Sequence, residues 1–409
     1  MTAIISPASI LRSQSPRLKS LPPLSLYIHI PWCMKKCPYC DFNSHEVRGG
    51  NDNVPEAEYV TALIHDLEAA LPQVWGRSVT SVFFGGGTPS LFSARSIDAI
   101  LTAVRTLLPL EHFAEVTLEA NPGTFEVKKF VDFRAAGINR LSIGIQSFNS
   151  GHLRSLGRIH DDREAHRAIE IARKNFDNVN LDLMYALPDQ TPEEARNDIE
   201  TAVASGVTHI SAYHLTLEPN TLFHRYPPPL PDDDLAAEMQ VMIEQTLAHG
   251  GYTNYETSAF ARAGRESRHN MNYWLFGDYL GIGAGAHSKI SFADRIVRQM
   301  RYKHPRDYLA KATQGLAASG APVMEQHEVE RSDRVFEFMM NALRLTRGFA
   351  TEMFLERTGL PITSIQRQLD EAERRQLIVR DYQRIAPTLI GRRFLNDLLQ
   401  IFLPEKNKG

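Results

Sequence analysis

Cys33, Cys37 and Cys40 are the only cysteines in the 409-residue chain. Thiols so clustered and odd in number make no disulfide framework, and in an otherwise cysteine-free chain they point to metal in a reducing compartment. The spacing Cys33-x3-Cys37-x2-Cys40 lets each thiolate hold one iron of a [4Fe–4S] cubane, leaving the fourth iron without a protein ligand. Such an open position separates a reactive metal centre from a closed structural one. Pro38 disfavours a regular helix here, so the ligands are expected on a loop that wraps the cluster. The competing reading is a zinc site with His45 as fourth ligand, but it lacks the distant second ligand pair usual for zinc.

Such a loop needs a scaffold. From residue 24 to about 220, short apolar runs alternate with amphipathic stretches. Strands are expected at Ser25–Ile30, Ser81–Phe84, Glu115–Ala120, Arg140–Gln146, Val179–Tyr185 and His209–Leu217. Helices such as Glu56–Leu71, Ser96–Leu107 and Arg163–Asn175 lie between them. Strands alternating with helices imply a parallel sheet with right-handed crossovers. Six such units are too few for a closed eight-fold barrel and fit either a doubly wound sheet or a partial barrel. In both, ligands sit at the C-terminal strand ends. The strands are followed by Pro31-Trp32-Cys33, Gly85-Gly86-Gly87-Thr88-Pro89, Glu119-Ala120-Asn121-Pro122-Gly123, Gln146-Ser147-Phe148, Leu187-Pro188 and Glu218-Pro219-Asn220, with Asp182 inside the fifth strand. Polar groups therefore converge on one rim.

Tyr226–Pro231 is proline-rich and Asp232–Asp234 acidic, which reads as a domain edge. The expected organisation is a disordered extension over 1–22, a barrel over 23–225, a barrel extension over 226–330 with strand-like stretches at Tyr252–Phe260 and Tyr279–His287, and a small C-terminal domain over 331–409. Residues 1–20 hold Ser, Arg and Lys but no continuous apolar run, so they make no secretory signal. No segment is apolar enough to span a bilayer. Together with the reduced thiols, this points to the cytoplasm. A hydrophobic content of 43% supports a large core, and a net charge of −3 gives no argument for nucleic acid.

The run Tyr27-Ile28-His29-Ile30-Pro31-Trp32-Cys33-Met34-Lys35-Lys36-Cys37-Pro38-Tyr39-Cys40-Asp41-Phe42 resembles the cluster loop of the radical S-adenosylmethionine enzymes. Together with Gly85–Thr88 and His269-Asn270-Met271-Asn272-Tyr273-Trp274, it resembles the oxygen-independent coproporphyrinogen III oxidase group, and within it the heme chaperones. The likeness runs from about Leu24 to Phe402. It implies an α/β fold, a partial parallel (β/α)6 barrel with a small, mainly helical, winged-helix-like C-terminal domain. It implies three cofactors or ligands: a [4Fe–4S] cluster, S-adenosylmethionine and heme. Carried over residue by residue, it places Tyr27, Tyr39, Gly86, Gly87, Thr88, Glu119, Gln146, Arg158 and Asp182 around S-adenosylmethionine. It also makes His269 and His287 candidate ligands of heme iron. Gly281–Ala286 fits G-x-G-x-x-A, but no helix or acidic partner follows as a dinucleotide site requires. A strand packing close to the site and placing His287 is the better reading.

Two functions follow. One is radical decarboxylation of porphyrinogen propionates to vinyl groups, which needs an electron donor. The other is heme transfer to acceptors such as respiratory enzymes, with homodimer formation and transient membrane association among its implications. The oxidases carry a further cysteine two positions after the third ligand. Phe42 stands there, and the cluster loop begins near the N-terminus, so heme transfer is the favoured reading. The C-terminal arginines, Arg374, Arg375, Arg380, Arg384, Arg392 and Arg393, are offset by Glu371, Glu373 and Asp381 and make a poor nucleic-acid surface.

Overall fold

The computed structural model describes residues 18–47, 53–123, 129–313 and 320–404. Its centre is six parallel strands: β1 (Leu24–Ile30), β2 (Val79–Gly86), β3 (Leu110–Ala120), β4 (Arg140–Gln146), β5 (Val179–Tyr185) and β6 (His209–His214). They lie side by side in chain order, each paired in parallel with the next. Their apolar residues are buried on both faces, as a helix-covered parallel sheet demands.

The crossover helices carry clear local instructions. Helix Ala94–Leu107 is capped by the Ser93 side chain, which accepts from the Ser96 N–H, and it buries Ile97, Ile100, Leu101 and Val104 on one stripe. Asp161 and Glu164 form a capping box that opens helix Asp162–Asn175. Thr191 and Glu194 do the same for Pro192–Ala204, where Pro192 takes the first turn.

Later segments extend the sheet on both sides. On one edge come β7 (Thr253–Glu256) and β8 (Ala259–Ala261); on the other come β9 (Asp278–Ile282), β10 (His287–Ser291), β11 (Ile296–Arg301) and β12 (Val323–Glu328). The order is β12-β11-β10-β9-β1-β2-β3-β4-β5-β6-β8-β7. β9 is parallel to β1, a seventh parallel strand supplied from far along the chain. The stretch Tyr279–His287 was expected to run continuously. Gly283 (φ +102°) and Gly285 (φ +77°) instead take left-handed conformations and divide it into β9 and the antiparallel β10. A side chain on Gly283 would strike the His29 carbonyl, and one on Gly285 would strike Asn43. No helix follows this glycine run; it seats β9 against the strand that leads into the cysteine loop.

The acidic and proline-rich stretch after β6 leads straight into helix Asp233–His249, capped by Asp232. That helix buries Met239, Ile243 and Leu247 in the main core. At the other end of the chain, residues 1–17 of the expected extension lie outside the described residues. Leu18 is already buried, and its N–H donates to Ala293 O at 2.8 Å.

Beyond β12, helices Arg331–Ala342, Thr351–Thr358 and Gln366–Arg374 pack with a three-stranded ribbon made from Phe349–Ala350, Ile378–Arg380 and Arg384–Pro387. This is the winged-helix layout. Its separate core gathers Phe338, Phe349, Phe354 and Leu369, and it recruits Phe276 and Ile296 from the preceding segment. Among the described residues, no helix is long and apolar enough to cross a membrane.

Candidate cofactor site

The cysteine loop is closed at its base by backbone hydrogen bonds. Trp32–Cys33 pairs in parallel with His45–Glu46, with His45 N donating to Pro31 O at 2.7 Å and Val47 N to Cys33 O at 2.9 Å. Trp32 anchors the loop edge-on to Tyr59 (4.7 Å between ring centroids) and stacked on Phe92 (6.1 Å). His29 ties the loop to β1: its Nε2 donates to Asn43 O at 2.9 Å, which leaves Nδ1 to accept from Tyr27 Oη at 3.1 Å.

The three thiols face one cavity of about 380 Å³ at the C-terminal strand ends. Burial pushes the Cys33 thiol up to about 11, against a 3.4 Å hydrogen bond from Thr88 Oγ1. Burial also raises Cys40. Arg158 Nη1 lies 3.7 Å from Cys37 Sγ. Half-buried thiols of this kind ionise when a metal centre supplies the missing positive charge. Among the described residues, no three His, Cys, Asp or Glu side chains gather around a single-ion position. A cubane asks for no such convergence, because each thiolate binds a different iron. The donor set therefore fits the cluster.

The glycine loop is stitched to the same place. Gly87 N donates to Ile30 O at 2.8 Å and Thr88 N to Trp32 O at 2.7 Å. A Cβ on Gly86 (φ +116°) would meet the His29 ring at 2.5 Å, and one on Gly87 would meet the Trp32 carbonyl at 2.5 Å. Opposite them, Glu119 Oε2 accepts from Gly86 N at 3.2 Å. Burial, with Asp182 adding repulsion, moves the Glu119 carboxyl up to about 8. Burial raises Asp182 as well, and its oxygens accept from Ser142 Oγ and Asn180 Nδ2, both at 2.9 Å. Arg158 Nη2 donates to Asn121 Oδ1 (2.6 Å) and Gly144 O (2.8 Å). Gln146 closes β4 at φ +67°, a left-handed conformation that costs a non-glycine residue free energy and is enriched at functional sites.

Cys33, Cys37, Cys40, Tyr39, Gly86, Gly87, Thr88, Glu119, Gln146, Arg158 and Asp182 all line this cavity. Tyr27, His269 and His287 do not. Tyr27 is buried beneath, stacked on Phe83. His269 is 3% exposed, with its Nδ1 3.1 Å from Ser81 Oγ and its ring stacked 4.8 Å from Phe83. His287 is exposed at the start of β10. Asn121, Ser142, Gly144, Tyr213, His214 and Glu218 line the wall without having been singled out. Ser142, Gly144 and Gln146 share one face of β4 by strand alternation, the one signal that could have found the first two. Phe42 also lines the cavity and is 60% exposed.

This fold and site define a radical S-adenosylmethionine protein. Residues 27–202 match the Radical SAM superfamily, and residues 329–394 match the HemN C-terminal domain. The heme chaperone HemW of Escherichia coli (strain K12) is 48% identical over 94% of this chain and 99% of its own length. That of Haemophilus influenzae is 45% identical over 95% of this chain and all of its own length. The chain belongs to the heme chaperone HemW family, and its membership of the radical SAM superfamily implies a [4Fe–4S] cluster and S-adenosylmethionine. The coproporphyrinogen III oxidase HemN of Escherichia coli shares the fold, with a TM-score of 0.78 at 22% identity, covering 97% of this chain and 93% of that one.

Proposed function

We propose that this protein is a cytoplasmic heme chaperone, which binds heme and passes it to acceptor proteins, respiratory enzymes among them. The observation that carries the reading is the match to heme chaperones across 94% of the chain at 48% identity. Cys33, Cys37 and Cys40 would hold the cluster, and the cavity beside them would hold S-adenosylmethionine. Arg158 offers a fixed guanidinium to a carboxylate. Glu119 and Asp182 offer acceptors to an ammonium or to ribose hydroxyls, Gly86 and Gly87 allow close backbone approach, and Gln146 and Tyr39 complete the wall. Thr88 bonds Cys33 and so joins the two sites. Tyr27 acts from beneath, through His29.

When bound and reduced, the cluster supplies the electron for reductive chemistry on S-adenosylmethionine. The protein's own part is to desolvate the site, fix the thiols and keep Glu119 neutral at neutral pH until a cation arrives. Heme iron could be taken by His287 as the chain stands, and by His269 once its stacked cage opens. Homodimer formation and transient membrane contact belong to the same reading. Coproporphyrinogen oxidation is the second reading, disfavoured by Phe42 at the position of the oxidases' further cysteine.

The test is anaerobic reconstitution of the full chain, followed by separate assays of hemin uptake, heme transfer and coproporphyrinogen decarboxylation. Stoichiometric heme binding and transfer without decarboxylation is the expected result. Decarboxylation turnover with no stable heme complex would overturn the chaperone reading.

A further inference from the structure

The loop after β6 carries surface chemistry that the cofactor site does not use. A short helix, Leu222–Arg225, begins where Thr221 caps it, its Oγ1 accepting from His224 N at 3.1 Å. Phe223 turns inward: its N–H donates to Pro38 O at 3.0 Å, and its ring lies 6.4 Å from that of Tyr39. The helix is therefore docked directly on the cysteine loop. The residues around Phe223 turn outward. Leu222 is 59% exposed and Tyr226 64%, and His224 and Arg225 are exposed between them. Large apolar side chains exposed side by side, next to a ligand cavity, mark a binding surface more often than an ordinary one.

The His224 ring is set for one role. Its Nδ1 lies 3.2 Å from Leu217 O. A carbonyl only accepts, so Nδ1 carries the proton and the lone pair sits on Nε2. A metal-binding histidine has this arrangement, with one nitrogen tied to a backbone carbonyl and the other left to the metal. Arg225, which packs 5.3 Å from the Tyr226 ring centroid, adds a cation on the same edge. The following Pro227-Pro228-Pro229 is stiff, and it is pinned by a 3.3 Å hydrogen bond from Asp189 N to Pro229 O. A nitrogen lone pair, flanking apolar side chains and a nearby cation match a flat apolar macrocycle with a central iron and peripheral carboxylates.

We infer that His224 is an axial ligand of heme iron, with Leu222 and Tyr226 against the macrocycle and Arg225 facing a propionate. This rests on the heme-binding reading above. The other histidines are less suited as they stand. His269 is enclosed. His214 lines the cofactor cavity and stacks on Tyr185, so iron there would compete with S-adenosylmethionine. His287 stands near Lys303 and Arg298, cations that disfavour a ferric centre. Placed at His224, heme would sit beside the cluster loop, one side chain away through Phe223 and Tyr39.

The experiment titrates hemin into the anaerobically reconstituted full-length protein. Heme is counted by pyridine hemochrome, its ligation is read by ferric-heme EPR, and iron–sulfur content is measured separately. His224→Ala is expected to weaken hemin binding by roughly tenfold or more at unchanged cluster content. His224→Tyr is expected to replace the histidine-ligated signal with that of a phenolate-ligated ferric heme, a gain that a folding defect cannot produce. His269→Ala and His287→Ala are expected to bind as the parent does. If the parent binds no heme, the chaperone reading falls. If the parent binds heme and both His224 variants keep its affinity and spectrum, the inference is wrong while the reading stands.

Discussion

Glu119 is a carboxyl held neutral in a cofactor cavity. Burial, with Asp182 beside it, raises it from 4.5 to about 8 in the folded chain. Below its unfolded value it is neutral in both states, and its burial is not penalised by charge. As pH rises toward 8, the unfolded chain gains an ionised carboxylate that the folded chain refuses, and stability is lost across that window. Glu119→Gln should therefore raise the melting temperature of the cofactor-free protein at about pH 9, by about 2–4 °C for each kcal/mol recovered, and change it little near pH 4. Thermal unfolding at the two pH values decides this; a shift of equal size at both would remove the electrostatic cause. Arg158 makes a different case. Its guanidinium spans Asn121, Gly144 and Cys37, a reach that a lysine ammonium cannot reproduce. Arg158→Lys should weaken S-adenosylmethionine binding by roughly tenfold, read by calorimetry, with iron content unchanged. The cysteines, Glu119, Gln146 and Asp182 were legible in the sequence because each stands at or near a strand end beside a glycine, a proline or another polar group. Asn121 is displayed in the same stretch as Glu119, yet its role appears only where Thr88 and Arg158 close on it. Tyr213 and Glu218 reach the wall through the placement of β6 beside β5, which no local pattern specifies.

At the scale of elements, the glycine loop and the cysteine loop are one unit. Gly87 packs against the Trp32 carbonyl, and Thr88 N bonds that same oxygen one residue before Cys33. Gly87→Ala should displace Trp32 and lower the iron and sulfide bound per chain after anaerobic reconstitution, with loss of roughly half or more and a stability cost of about 1–3 kcal/mol. Full cluster content would show that the two loops are independent. The six βα units were readable because apolar runs and caps agree locally at every step. β9 was not, since parallel pairing with β1 joins residues more than 250 positions apart, and the glycines that break Tyr279–His287 announce flexibility but not where the chain turns.

For the whole molecule, one buried ion pair joins distant parts. Asp66, on helix Glu56–Val74, receives Arg301 Nε at 2.9 Å, Tyr308 Oη at 3.0 Å and Gly283 N at 3.1 Å, with both charged side chains fully buried. It holds the first crossover helix to β11, to the β9–β10 turn and to helix Pro305–Thr313. Asp66→Ala leaves Arg301 buried and uncompensated, and should destabilise the chain by about 3–5 kcal/mol in urea unfolding. Replacing both partners with apolar residues should restore much of that loss. A single Asp66→Ala variant with parental stability would show that the pair holds nothing together. The sequence marked 226–330 as an appendage. Its helix and strands in fact complete the main core, because Met239, Ile243, Leu280 and Ile282 are needed to cover it.

The bridge between Trp32–Cys33 and His45–Glu46 bears on the protein's life under oxygen. A ring of backbone bonds that does not pass through metal keeps the ends of the cysteine loop together whether or not iron is present. The entropy of closing that loop is already spent when the chain folds, so the cluster need not recover it on assembly. Oxidative loss of iron then leaves a shaped socket. Repair becomes a matter of delivering iron and sulfide, at a rate set by their supply and by reduction of the thiols.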